Sequence, residues 1–222
     1  MDVIFDPSLL LYLPLRSLDG DSSRSEDAYG HACTVNGALW TPGGRYFDGI
    51  DDVITITDIP QLNNQANASI LGWFNLNTVP DDCYLFGKRL DSNHNTAVQL
   101  YTDNLCYVYI GNSGSLTYST FNYSGKIIKD KWFFFALLYD GNGADNADRA
   151  KVYLDMEPQT LSFSGTVPST LADTTGQSFR IGNRFTLLSA IAGLAADFLV
   201  YGRTLTFSEA AAIYLATKWR YQ

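Results

Sequence analysis

Glutamate is almost missing from this chain. Only Glu26, Glu157 and Glu209 stand among 23 acidic residues, and the other 20 are aspartate. Any chemistry that places several glutamates on one strand face has nothing to draw on. Histidine is as scarce, with His31 and His94 both in polar loops, and no Gly-x-Ser-x-Gly turn offers either of them a serine nucleophile. The three cysteines, Cys33, Cys83 and Cys106, are odd in number and lack metal-ligand or redox spacing. They allow one disulfide and exclude a disulfide framework, and Cys106, inside a strand pattern, reads as a small buried apolar group. No apolar run approaches the roughly 20 residues that cross a bilayer. Met1 to Pro7 has no basic segment, and Leu9 to Leu13 is cut by Pro14, so no cleaved export signal is expected. Positive charge is also short: 15 Lys and Arg leave a net charge of −8. Such a chain repels a phosphate backbone and anionic lipid, which argues against nucleic acid and membrane insertion.

Aromatics, by contrast, are abundant, with 14 Tyr and 13 Phe in 222 residues. They favour strands over helices. A chain of this size removes roughly 70–75% of its unfolded surface from water. The 46% hydrophobic content supplies enough material for two packed sheets. Short apolar or alternating runs recur between turn signals. They include Leu9–Leu13, Cys33–Leu39 with its Asn36-Gly37 turn, Arg45–Phe47, Val53–Ile56, Ser69–Leu76, Tyr84–Gly87, Ala97–Tyr101, Leu105–Ile110 and Ser115–Asn122. Trp132–Tyr139, Lys151–Leu154, Gln177–Ile181 and Ala195–Tyr201 continue the series. Trp132–Tyr139 is apolar on both faces, as a central strand between two layers requires. Ser17–Gly30 reads as loop. One helix is expected after Thr206-Phe207-Ser208-Glu209, a capping box followed by alanine-rich sequence. No repeat or linker divides the chain, so residues 1–222 are expected to form a single domain.

Several segments in order carry a family resemblance: Asn36–Trp40, FDGIDD at 47–52, SILGWFNL at 69–76, LFGK at 85–88, KWFFFALLYDG at 131–141, KVYLD at 151–155, RIGN at 180–183 and RTLTFSEA at 203–210. Together the chain resembles laminin-G-like jelly rolls of the concanavalin A-like lectin and glucanase superfamily. The resemblance implies an all-β, two-sheet antiparallel jelly-roll sandwich with adjacent first and last strands, here with one short C-terminal helix. It also implies recognition of glycans or proteins. The chain departs from the family in two places. The family's metal site often draws on an Asp in the penultimate strand; here that position is Ala196, with Asp197 following. Polar residues that often follow the central-strand Trp are Phe133 and Phe134.

Glycoside hydrolysis needs two flanking carboxylates, about 5–5.5 Å apart in a retaining enzyme. The glucanase versions, Glu-x-Asp-x-x-Glu and Glu-x-Asp-x-Glu, are absent, so no enzyme activity is expected. Calcium, which wants clustered oxygens, has candidate ligands in Asp48, Asp51 and Asp52, and a second oxygen-dense loop at Asp140–Asp148. For a ligand, Tyr101, Tyr107, Tyr109 and Tyr118 are the candidate contacts, with Tyr123 in the same third of the chain. Tyr107 and Tyr109 share a strand face, while Cys106, Val108 and Ile110 share the other. Either set can face the core. The expected function is a non-catalytic recognition or attachment module that binds glycans through the concave face and rim loops. The alternative is a structural assembly protein, such as a virion (phage) decoration or fibre subunit. The expected partners are a glycan or protein surface and a possible homo-oligomer, located outside the cell or on a virion.

Overall fold

A computed structural model of the chain describes residues 6–17, 20, 22–79, 81–112, 117–186 and 189–222. The strands are β1 (Leu9–Leu13), β2 (Ser22–Arg24), β3 (Ala32–Asn36), β4 (Leu39–Thr41), β5 (Gly44–Asp48), β6 (Val53–Ile56), β7 (Asn67–Leu76), β8 (Cys83–Arg89), β9 (Asn95–Leu100), β10 (Leu105–Gly111), β11 (Tyr118–Asn122) and β12 (Trp132–Asp140). A one-turn helix α1 (Asn146–Arg149) precedes β13 (Ala150–Leu154), β14 (Glu157–Pro158), β15 (Ser162–Ser164), β16 (Phe179–Ile181), β17 (Ala192–Tyr201) and helix α2 (Phe207–Lys218).

These strands form two antiparallel sheets. The eight-stranded sheet runs β14-β13-β12-β7-β17-β5-β4, with β1 also on β17. The nine-stranded sheet runs β15-β11-β10-β9-β8-β16-β6-β3-β2. The jelly-roll sandwich expected from the sequence is therefore the fold. Its N- and C-terminal strands meet: Leu13 pairs with Phe198, and the Asp197 amide donates to the Pro14 carbonyl at 3.1 Å.

Alternation places the core. Ile54, Ile56, Val98, Cys106, Val108, Ile110, Phe133, Phe135 and Phe198 all lie in the cluster between the sheets. A second cluster covers the far face of the eight-stranded sheet. There Leu71, Trp73, Phe134, Ala136 and Leu138 meet Ala210, Ile213 and Tyr214 of α2. The doubly apolar β12 thus feeds both layers. Trp73 is wholly buried but under α2, not between the sheets; its ring stacks on Tyr214 at 5.5 Å, and its Nε1 donates to Thr217 Oγ1 at 2.9 Å. The capping box starts α2 as expected, with Thr206 Oγ1 accepting from the Glu209 amide and Glu209 accepting from the Thr206 amide. All three cysteines are buried.

The short elements that go beyond the sequence reading include β2 inside the expected loop, β14, β15, α1 and a 3-10 turn at Pro60–Leu62. The three strands are two or three residues long at sheet edges, too short to show a period. The β11 strand starts at Tyr118; Ser115 and Leu116 lie outside the described residues.

Candidate functional site

Cys106, Val108 and Ile110 take the core side of β10, so Tyr107 and Tyr109 point to the outer face of the nine-stranded sheet. Register then gathers their neighbours. Tyr109 pairs with Tyr118 on one side and Ala97 on the other, while Tyr107 pairs with Thr120 and Gln99. The Tyr107 ring lies 4.7 Å from Tyr101, 5.9 Å from Tyr109 and 5.3 Å from Tyr118. The Tyr101 and Tyr109 hydroxyls are 3.2 Å apart. All four candidate tyrosines thus form one half-buried patch. Burial, with the Tyr101 hydroxyl beside it, pushes the Tyr109 phenol up, so it stays a neutral donor at ordinary pH. Tyr123 departs from this set: it turns into the core and donates to the Tyr101 carbonyl.

The aspartate corner is also assembled. β5 ends at Asp48, Gly49 turns the chain with φ +84°, and Asp51 and Asp52 lead into β6. One ligand oxygen from each of Asp48, Asp51 and Asp52 falls within 4.8 Å of the others, the convergence of such groups found among the described residues. Asp48 Oδ1 accepts from the Ile50 amide and Asp52 Oδ2 from the Asp48 amide, both at 2.8 Å. Asp52 is buried beneath the Asn36-Gly37 turn, where a Cβ on Gly37 would collide with its Oδ1. Burial first, then the charges of Asp48 and Asp51, raise the Asp52 carboxyl above its usual range. Three carboxylates with no described cation beside them fit a hard divalent ion, which takes oxygen ligands. In the other oxygen-dense loop, Asp145 instead caps α1 by accepting from Asp148, and Asp140 accepts from the Asn142 amide.

Asp197 is engaged by protein donors. It sits on a β-bulge with φ +41°, a left-handed conformation that Asp tolerates better than most residues, and is 1% exposed. Tyr12 and Arg16 donate to its Oδ1 at 3.2 and 2.9 Å; Arg220 and Tyr221 donate to its Oδ2, both at 2.8 Å. Both oxygens are consumed in tying the chain's two ends to β17. The glutamates are dispersed. Glu209 is held by Arg203 and the helix cap, Glu157 is on the edge strand β14, and Glu26 lies between β2 and β3. His94 Nδ1 lies 2.9 Å from Asp91 within one loop, and His31 stacks on Tyr29.

The sequence reading did not pick out Tyr84, Arg89, Arg180 and Arg184. They belong to separate segments that register brings to the edge of the tyrosine patch. No local spacing marks them.

A family model described as the Concanavalin A-like lectin/glucanases superfamily (Laminin_G_3) matches residues 48–211. No curated protein matches the sequence. Among solved structures, a Trypanosoma rangeli sialidase in complex with sialic acid is similar at a TM-score of 0.69 and 14% identity, over 99% of this chain and 34% of the sialidase. The receptor-binding domain of botulinum neurotoxin C/D mosaic serotype is similar at a TM-score of 0.68 and 12% identity, over 94% of this chain and 51% of that domain. The chain therefore spans about a third of the first and about half of the second, and at these identities the likeness is one of fold. With the family match covering more than half its length, the chain belongs to the laminin-G-like domains of the concanavalin A-like lectin/glucanases superfamily.

Proposed function

We propose that this domain is a non-catalytic recognition module that binds glycans on the outer face of its nine-stranded sheet. The observation that carries the reading is the contiguous patch of Tyr101, Tyr107, Tyr109 and Tyr118. Tyrosine rings stack on the apolar faces of sugar rings while their hydroxyls bond to sugar hydroxyls. The similar structures support this broadly, since one is a sialidase holding sialic acid and another a receptor-binding domain. The three glutamates are dispersed, with Glu209 tied to Arg203, and Asp197 is tied to Arg220, which supports a binding role over hydrolysis.

The test is a glycan array on the full chain beside a Tyr107→Ala/Tyr109→Ala variant, with native mass measured on both. Binding by the parent and its loss in the variant, at an unchanged unfolding midpoint, is the expected result. Equal binding by both would move the site elsewhere. No glycan signal together with a stable symmetric oligomer would favour an assembly protein. Leu215 and Trp219, four residues apart near the end of α2 and 66% and 72% exposed, are the observation behind that second reading.

The Asp48, Asp51 and Asp52 corner is proposed to bind calcium as a structural ion, holding the β5–β6 turn against the Asn36-Gly37 turn. Calcium should raise the unfolding temperature and chelation should lower it, with Asp51→Asn abolishing the difference. A melting curve indifferent to calcium and chelator removes the ion from the account.

A further inference from the structure

We propose that Arg89, Arg180 and Arg184, grouped around the Tyr84 hydroxyl beside the tyrosine patch, form a subsite for the anionic substituent of an acidic glycan. This rests on the glycan reading above and narrows it to a ligand class.

The subsite follows from register. Phe179 and Ile181 enter the core, so Arg180 between them points outward. Arg180 pairs with Gly87, Gly87 with Ala97, Ala97 with Tyr109 and Tyr109 with Tyr118. One row thus crosses five strands from the arginine to the tyrosines. Its middle positions carry no side chain and one methyl group. The Tyr84 ring fills that gap, with its hydroxyl lying where a Cβ on Gly87 would stand. Arg89, two residues beyond Gly87 on the same strand, shares the outer face. Arg184 follows in the loop after β16, where its carbonyl receives Arg180 Nη1 at 3.4 Å. The Arg180 guanidinium rests 4.6 Å from the centre of the Phe185 ring, a cation–π contact that limits its freedom. Further along, the Tyr84 amide of β8 donates to the Ser189 carbonyl at 2.8 Å.

Arg24 and Arg149 spend their guanidinium groups on backbone carbonyls at 2.7–3.0 Å, whereas Arg180 has, among the described residues, only the 3.4 Å bond to the Arg184 carbonyl. Arg16, Arg203 and Arg220 each meet a carboxylate at 2.7–2.9 Å. Arg89, Arg180 and Arg184 meet none among the described residues, in a chain that carries 20 aspartates. Tyr84 is 3% exposed, yet its hydroxyl has no hydrogen-bond partner among the described residues, and neither does Arg180 Nε. Buried polar atoms left unmatched are costly, and native structures rarely keep them without a reason. An anionic oxygen would accept from both. The planar guanidinium fork suits a carboxylate or sulfate, and charge-assisted bonds are the strong ones. Burial keeps the Tyr84 phenol protonated and able to donate, although the three arginines pull the other way. Arg184 also acts on Tyr109, which links the subsite to the patch electrostatically.

The experiment measures binding of the full chain to a carboxylated oligosaccharide, a sulfated one and a neutral one of equal length. It compares the parent chain, Arg180→Gln/Arg184→Gln, Tyr84→Phe and Tyr107→Ala. The parent should prefer an acidic probe to the neutral one by about tenfold or more, as expected for hydrogen bonds to a charged group. The preference should shrink with added salt. The double arginine variant should erase that preference while neutral binding persists, Tyr84→Phe should weaken it several-fold, and Tyr107→Ala should weaken all three probes alike. Which acidic probe binds tighter identifies the substituent as carboxylate or sulfate. Equal binding of acidic and neutral probes by the parent, or an acidic preference intact in the arginine variant, overturns the subsite and leaves the glycan reading standing. Failure of every probe to bind overturns the glycan reading itself. Unfolding midpoints of the variants, matched to the parent, keep a folding defect from imitating either result.

Discussion

On the eight-stranded sheet, the side chains turned away from the inter-sheet core are Leu71, Trp73, Phe134, Ala136 and Leu138, and α2 lies over them. On the nine-stranded sheet, the corresponding positions hold Ala97, Gln99, Tyr107, Tyr109, Tyr118 and Thr120, and no helix covers them among the described residues. Both faces are aromatic. They differ in whether a partner in the same chain seals them, and not in the ring hydroxyl, since the covered face also holds Tyr201. Trp73 uses its one donor on Thr217 of the covering helix, whereas Tyr101 and Tyr109 share a hydrogen bond at the surface. Aromatic content alone therefore does not tell a packed face from a displayed one; the element that covers the rings does.

The contrast is sharpest in a pair of truncations. Trp73→Ala should cost about 3–5 kcal/mol, since it empties a packed site and leaves Thr217 without its donor. Tyr107→Ala should move stability by only about 0.5 kcal/mol, as surface changes do. Denaturant melts of the two variants decide it. A large loss at Tyr107 would mean that the open face is a stability element and not a display.

Asp197 locks the covered face shut, because its four donors come from both ends of the chain. Asp197→Asn keeps the shape and tolerates the left-handed backbone, but leaves Arg16 and Arg220 unpaired. Each of these arginine side chains retains 30% exposure, so the loss should fall near the low end of the roughly 3–5 kcal/mol seen when one partner of a buried pair is removed. Protease nicking after Lys218 or Arg220 should rise in parallel. A variant as stable as the parent, with unchanged cleavage, would show that packing around Trp73 holds α2 without the carboxylate.

Most of the sandwich was legible because its strands announce themselves. Val53–Ile56 appears with the same limits in the sequence pattern and in the structure, and the Asp-Gly and Asn-Gly turns fall where they were read. The orientation of Tyr107 and Tyr109 was not legible, since Cys106, Val108 and Ile110 make an equally good apolar row only when weighed against tyrosines that can go either way. Asp197 was hidden by its bulge: a period of two sets Ala196 and Asp197 on opposite faces, but the inserted residue brings both toward the α2 side. The arginine group was hidden by distance along the chain. β16 lies between β6 and β8, and that long-range pairing places Arg180 beside a strand about 90 residues earlier. The aspartate corner, local in sequence, was visible.

The smallest expected effect concerns how the covering helix begins. Arg203 bonds to Glu209 at 2.8 and 3.0 Å and to Asp6 at 2.7 Å, joining α2 to the start of β1. The Arg203 guanidinium, then the Thr206 amide, hold the Glu209 carboxyl down to about 2, from an ordinary 4.5. A depressed carboxyl stabilises the fold at pH values above its unfolded pKa and stops doing so as pH falls through the folded one. Glu209→Gln, which retains the capping geometry, should therefore cost under about 1 kcal/mol at pH 7, as exposed pairs do. The gap between variant and parent should persist down to pH 4.5 and close as pH falls to 2. Urea melts at those three pH values, followed by helical circular dichroism, provide the comparison. A gap that stays constant across the range would assign the contribution of Glu209 to hydrogen-bond geometry and not to its charge.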